Sequence, residues 1–105
     1  MIAPREYAAA AIAKAHVEAE PGIKAIYRVE SLRHEHDERE PIKLLEVNEN
    51  TVERGIEPIS FAPQLDGGIP FPLVIIDVTP REFRLLRQRK LSLPRGWRLG
   101  QKILL

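Results

Sequence analysis

Leu73-Val74-Ile75-Ile76-Asp77-Val78-Thr79-Pro80-Arg81-Glu82 (residues 73–82) changes character within one peptide bond. Its first part, Leu73 to Val78, is a β-branched run with apolar side chains at both odd and even positions. That pattern predicts a strand buried on both faces, and therefore a central one. The remainder is a helix start. Thr79 suits the N-cap, Pro80 the first helical position, and Glu82 stands where a carboxylate reaches back to the cap, completing a capping box. A short helix over 80–90 follows, with Phe83 and Leu86 as its inward pair.

Upstream, residues 49–72 carry Pro58, Pro63, Pro70 and Pro72 with Gly55, Gly67 and Gly68. Prolines lack the N–H that a central ladder needs, so only a short edge strand, Ile59-Ser60-Phe61, is expected there. Residues 42–48 and 23–31 read as strands that pair as an antiparallel hairpin. In 23–31, Ala25, Tyr27 and Val29 share one face against Lys24, Arg28 and Glu30, and Ile26 breaks the alternation. The connecting segment from Arg33 to Pro41 carries charge throughout and reads as a solvated loop.

Residues 4–20 read as a helix. Pro4 suits its first turn, the alanine run favours it, and Pro21-Gly22 ends it. Its candidate buried stripe is Tyr7, Ala8, Ala11, Ile12 and Ala15. Alanine offers little area to bury, so this helix is expected to dock weakly or to pack on a second copy of itself. Downstream, Pro94-Arg95-Gly96 reads as a turn, and Trp97 and Leu99 alternate with Arg98 as in a short strand. The fold class is α+β: a mostly antiparallel sheet of roughly three to five strands, an N-terminal helix, and a short capped helix after the central strand. Residues 1–105 are read as one domain.

The chain has 105 residues, no cysteine and a formal net charge of +1. Disulfides, thiolate metal sites and cysteine nucleophiles are excluded. The start, Met1-Ile2-Ala3-Pro4-Arg5-Glu6, lacks a basic leader before an apolar stretch. The apolar runs Ala8–Ala13 and Leu73–Ile76 fall far short of the roughly 20 residues a membrane helix needs. The expectation is a cytoplasmic protein with no membrane contact. Charge is nevertheless uneven. From Thr79 onward Arg81, Arg84, Arg87, Arg89, Lys90, Arg95, Arg98 and Lys102 are opposed only by Glu82. Such asymmetry points to an anionic partner, or to attraction between the halves of one chain or of two chains.

Two constellations carry candidate chemistry. In His34-x-His36-x-x-x-Glu40 the histidines stand two apart, which on a strand directs both imidazoles to one side, towards a divalent metal. This spacing resembles the first metal motif of the cupin family, which implies His34, His36 and Glu40 as ligands. The chain departs from that pattern in having Arg28 and Val47 where the family usually has glycines, and no histidine follows His36. The alternative is a charged hairpin loop. The second constellation is the basic tail. Arg84, Arg87, Arg95 and Arg98 can neutralise phosphates, and Trp97 can stack on an unpaired base. Against this, a lone tryptophan in a small protein commonly serves the core.

Asp77 interrupts an apolar strand, so it is either a base with a shifted pKa or an acceptor for backbone or for Arg81. His16 reads as a half-exposed helical residue. Ser31, Ser60 and Ser92 lie in no nucleophile elbow. Gly67-Gly68 lacks the context of a nucleotide loop, so no cofactor is expected.

The segments 42–48, 78–83 and 93–99 resemble those of small bacterial proteins of unassigned function, which implies no activity. The leading functional reading is a non-enzymatic binding or assembly module, joining a protein partner or a second copy as a homodimer. The alternatives are a nucleic-acid-binding protein using the basic C-terminal segment, and a metal-dependent enzyme using the His34/His36/Glu40 loop.

Overall fold

The computed structural model describes residues 4–32, 40–63 and 72–104. Its elements follow in the order α1 (Pro4–Ala19), β1 (Ile23–Ser31), β2 (Ile42–Asn48), β3 (Pro58–Phe61), β4 (Leu73–Val78), α2 (Pro80–Arg87) and β5 (Trp97–Leu104). The strands form one sheet in the order β3-β4-β2-β1-β5. The class is α+β, as the sequence predicts. β1 pairs antiparallel with β2 and with β5, and β3 pairs antiparallel with β4. β2 and β4 run parallel, in register from Ile42↔Leu73 to Val47↔Val78.

The β4–α2 junction is built as its residues dictate. The Thr79 hydroxyl accepts from the Glu82 N–H at 3.0 Å, and the Glu82 carboxylate accepts from the Thr79 N–H at 2.9 Å. The helix ends earlier than the sequence suggests, at Arg87. Arg89 adopts a left-handed φ of 60° there, and the Lys90 N–H reaches back to the Leu85 carbonyl at 2.8 Å. The Arg89 N–H meets the Leu86 carbonyl at 3.1 Å, so the end is a Schellman turn.

β4 is an interior strand, but the middle of the sheet is β2, all of whose residues are buried. This follows from helices on both faces. One face carries Ile23, Ile26, Ile42, Leu44, Leu73 and Ile75 beneath α1. The other carries Val29, Leu45, Val47, Ile76 and Val78, packed with Tyr27, Phe83, Leu86, Trp97 and Leu99. The sheet thus carries two cores, one per face. They also explain Ile26, which sits on the charged side of β1 because α1 covers that side.

The docking face of α1 is Ala9, Ile12 and Ala13, with Ala8 and Val17 beside them. Tyr7 is 63% exposed and Ala15 is exposed, so the buried stripe is turned away from the one expected. Small alanine side chains let the helix backbone approach the sheet closely, and neighbours rather than amphipathic contrast set the orientation. α1 therefore packs on β1, β2 and β5 of its own chain. Gly22, buried in the turn between α1 and β1, sits where an added Cβ would strike the side chains of Asn48 and Asn50. No helix among the described residues is long and apolar enough to cross a membrane.

Candidate functional site

Strand alternation separates the basic residues that the sequence groups together. Trp97 and Leu99 face the α2 side of the sheet, so Arg98 between them faces the other way. Its guanidinium bonds Glu30 Oε2 at 3.2 Å. Trp97 is half-buried against the second core, with Lys43 Nζ 5.3 Å from its ring centroid. It is a packing and cation–π residue, and its ring contributes to the fold. Arg81 pairs with Glu53, not with Asp77.

Of the remaining tail cations, Lys102 is exposed on β5, and the other five lie on α2 and the segment after it. Arg84 and Arg87 are exposed on α2, Arg87 resting 5.8 Å from the Phe83 ring, and Arg89, Lys90 and Arg95 are exposed on the segment leading to β5. Among the described residues, no carboxylate pairs with any of these five. Their field is therefore uncompensated locally, whereas Lys24–Glu49, Lys43–Glu40, Arg81–Glu53 and Arg98–Glu30 absorb much of the remaining charge within the chain.

A second polar cluster lies under α1. Glu46 on β2 faces α1, its side chain 4% exposed, and its Oε2 is bonded to His16 Nδ1. The imidazole is 32% exposed, so it bridges the interior and the surface. Asp77 is the in-register partner of Glu46 on β4, and its Oδ1 is buried with no hydrogen-bond partner. Burial pushes the Glu46 carboxyl above its ordinary range. The His16 bond and charge oppose that rise, and the negative charges of Asp77 and Glu20 add to it. Glu46 is thus a buried carboxylate tied to a half-exposed imidazole, with the half-buried Asp77 beside it in register. The His16–Glu46 contact joins residues thirty positions apart and has no local signature in the sequence.

His34 and His36 lie outside the described residues, so the metal reading of that loop does too. Glu40, its third member, places Oε2 3.6 Å from Lys43 Nζ. Among the described residues, no three histidine, aspartate or glutamate side chains gather as a metal site. Comparison with protein-family models, with curated proteins and with solved structures finds no match to this chain.

Proposed function

We propose that this chain is a non-enzymatic binding module whose contact surface is the cationic outer side of α2 and the segment after it, and that the partner is nucleic acid. The observation that carries the reading is the group Arg84, Arg87, Arg89, Lys90 and Arg95, exposed and without carboxylate partners among the described residues. Arginines so placed neutralise phosphates and release counterions. Arg89 adds weight. It holds a left-handed backbone conformation that glycine would adopt without strain, and a cationic side chain at that position fits a surface role. With Trp97 packed against the core, the contact is to the phosphate backbone rather than to stacked bases. A cytoplasmic setting suits the cysteine-free composition.

Fluorescence anisotropy with labelled single- and double-stranded oligonucleotides tests the reading. Binding should weaken steeply with salt. Replacing each of the five cations should lower the slope of log affinity against log salt by roughly 0.7–0.9. Arg81 and Arg98, already committed to Glu53 and Glu30, should matter far less. No binding of either probe at low salt would end this reading.

A second reading, self-association, rests on β3. It is the terminal strand of the sheet on that side, and Ile59 and Phe61 are 40% and 48% exposed. Both occupy the same face of a strand whose outer edge has no partner strand among the described residues, an arrangement that a second copy can extend by antiparallel pairing. Sedimentation analysis at tens of micromolar should give a dimer that Phe61→Lys dissociates, and a monomer at that concentration rejects it.

A further inference from the structure

We propose that Ser92 is a phosphorylation site whose phosphate engages the cations around it and turns down the nucleic-acid surface, the last step resting on the reading above. Ser92 is exposed in the irregular segment between α2 and β5. From Pro80 to Leu105 it carries the sole hydroxyl side chain. Arg89 and Lys90 stand just before it and Arg95 just after it, all exposed and without carboxylate partners among the described residues.

The backbone here is open to an enzyme. The turn that ends α2 closes with the Leu91 N–H on the Leu85 carbonyl at 3.3 Å, and the next turn closes with the Trp97 N–H on the Pro94 carbonyl at 3.0 Å. Between them, Ser92 and Leu93 make no hydrogen bond to any described residue. Drawing this stretch out therefore breaks no helix or sheet bond of its own, and the apolar contact given up is that of the half-buried Leu93. The preceding turn holds Arg89 at a left-handed φ of 60°, so opening it also releases strain.

Arg87 and Arg89 stand five and three places before Ser92. A serine kinase with carboxylates in its substrate groove reads that charge pattern. It transfers the γ-phosphoryl group of ATP. Ser92 Oγ bonds to the γ-phosphorus, the bond from that phosphorus to the β–γ bridging oxygen breaks, ADP leaves with the electron pair, and the hydroxyl proton passes to the kinase's base. The product brings about 1.5–2 negative charges and three acceptor oxygens, set among arginines that bond to it. This internal phosphate competes with those of nucleic acid for the same cations.

The first test treats the intact protein with an arginine-directed serine kinase and ATP and maps the modified residue by mass spectrometry. Ser92 should be modified, and Ser92→Ala should abolish incorporation. Ser31 also has an arginine three places before it, Arg28, but is held in β1 opposite Trp97 and should stay unmodified. The second test uses protein carrying phosphoserine at position 92. Phosphorus NMR should place its second ionisation below the ordinary value of about 6, because neighbouring cations favour the doubly charged form. Arg89→Gln combined with Arg95→Gln should restore that value. In anisotropy with the same labelled oligonucleotides, the slope of log affinity against log salt should fall by roughly 0.7–1.8, the share of one to two neutralised contacts. Ser60→Asp, which puts a negative charge on β3 instead, should leave the slope unchanged. No incorporation at Ser92, or an unshifted phosphate ionisation, overturns the proposal whether or not nucleic acid binds. Unmodified protein that binds no oligonucleotide removes the functional reading and leaves those two readouts to decide Ser92. Equal binding with and without the phosphate overturns the regulatory step.

Discussion

Glu82 holds Gly55 as well as its own helix cap: Glu82 Oε2 accepts from the Gly55 N–H at 2.6 Å and from the Arg54 N–H at 3.1 Å, while Oε1 takes the Thr79 N–H. The carboxylate, on a residue 1% exposed, therefore joins the start of α2 to the loop between β2 and β3. Gly55 contributes a φ of 77°, a conformation that places its N–H towards the helix without the steric cost other residues meet there.

This arrangement predicts unequal effects for the two halves of one capping box. Thr79→Ala removes a single acceptor and should destabilise by about 1 kcal/mol. Glu82→Ala leaves three backbone N–H groups without their partner and should cost roughly 2–4 kcal/mol. Glu82→Gln, which retains one acceptor, should fall between them. Urea denaturation of the three variants measures the order, and equal losses would mean that the bonds to Arg54 and Gly55 contribute nothing.

Arg89 offers the opposite kind of test. Its φ of 60° completes the Schellman turn after α2, and a non-glycine residue is strained there by roughly 1–2 kcal/mol. Arg89→Gly should raise stability by up to about 1 kcal/mol, since glycine relieves the strain but adds freedom to the unfolded chain. In the same protein, nucleic-acid binding should weaken. A stabilised variant that binds less well is the signature of a residue kept for its charge.

These junctions were legible in the sequence because their signals are local. Thr79, Pro80 and Glu82 specify a helix start within four residues, and the apolar run of β4 and the spacing of 42–48 mark strands without reference to anything distant. The parallel register of β2 with β4 is a long-range choice, and nothing within either segment distinguishes it from antiparallel pairing. The rotation of α1 was hidden for a related reason. Six alanines lie between Tyr7 and Ala19, so nearly every face of the helix can approach a sheet, and the sheet's shape decides. Lys43 stands on one face of β2 and Glu46 and Asn48 on the other, and all three are buried although each is polar. The histidine that explains Glu46 comes from another element.

Glu46 also predicts how global stability depends on pH. Its folded-state carboxyl titrates above the ordinary range because it is buried. In the window above the unfolded-state value the native protein holds a proton that the unfolded chain has released. The stability contributed by this group is therefore complete below the unfolded-state value of about 4.3 and declines as pH rises through the folded-state value. Glu46→Gln has no such window. The difference in unfolding free energy between Glu46→Gln and wild type should grow in favour of the variant from about pH 4 towards neutrality. A constant difference would show that burial does not penalise the charged form.

Two alanines on α1 separate the observed docking face from the one that periodicity favours. Ala13 has no exposed surface and packs in the first core, whereas Ala15, two residues on, is exposed. Enlarging Ala13 to leucine forces extra methylene groups between helix and sheet and should destabilise by roughly 1–3 kcal/mol. Ala15→Leu adds an apolar side chain to an exposed position and should stay within about 0.5 kcal/mol of wild type. The contrast also bears on assembly. A helix whose exposed side joined a second copy would respond to Ala15→Leu in its dimer affinity. A helix seated only on its own sheet leaves the oligomeric state unchanged while Ala13→Leu shifts the denaturation midpoint, and combining sedimentation with urea denaturation on these two variants tells the cases apart.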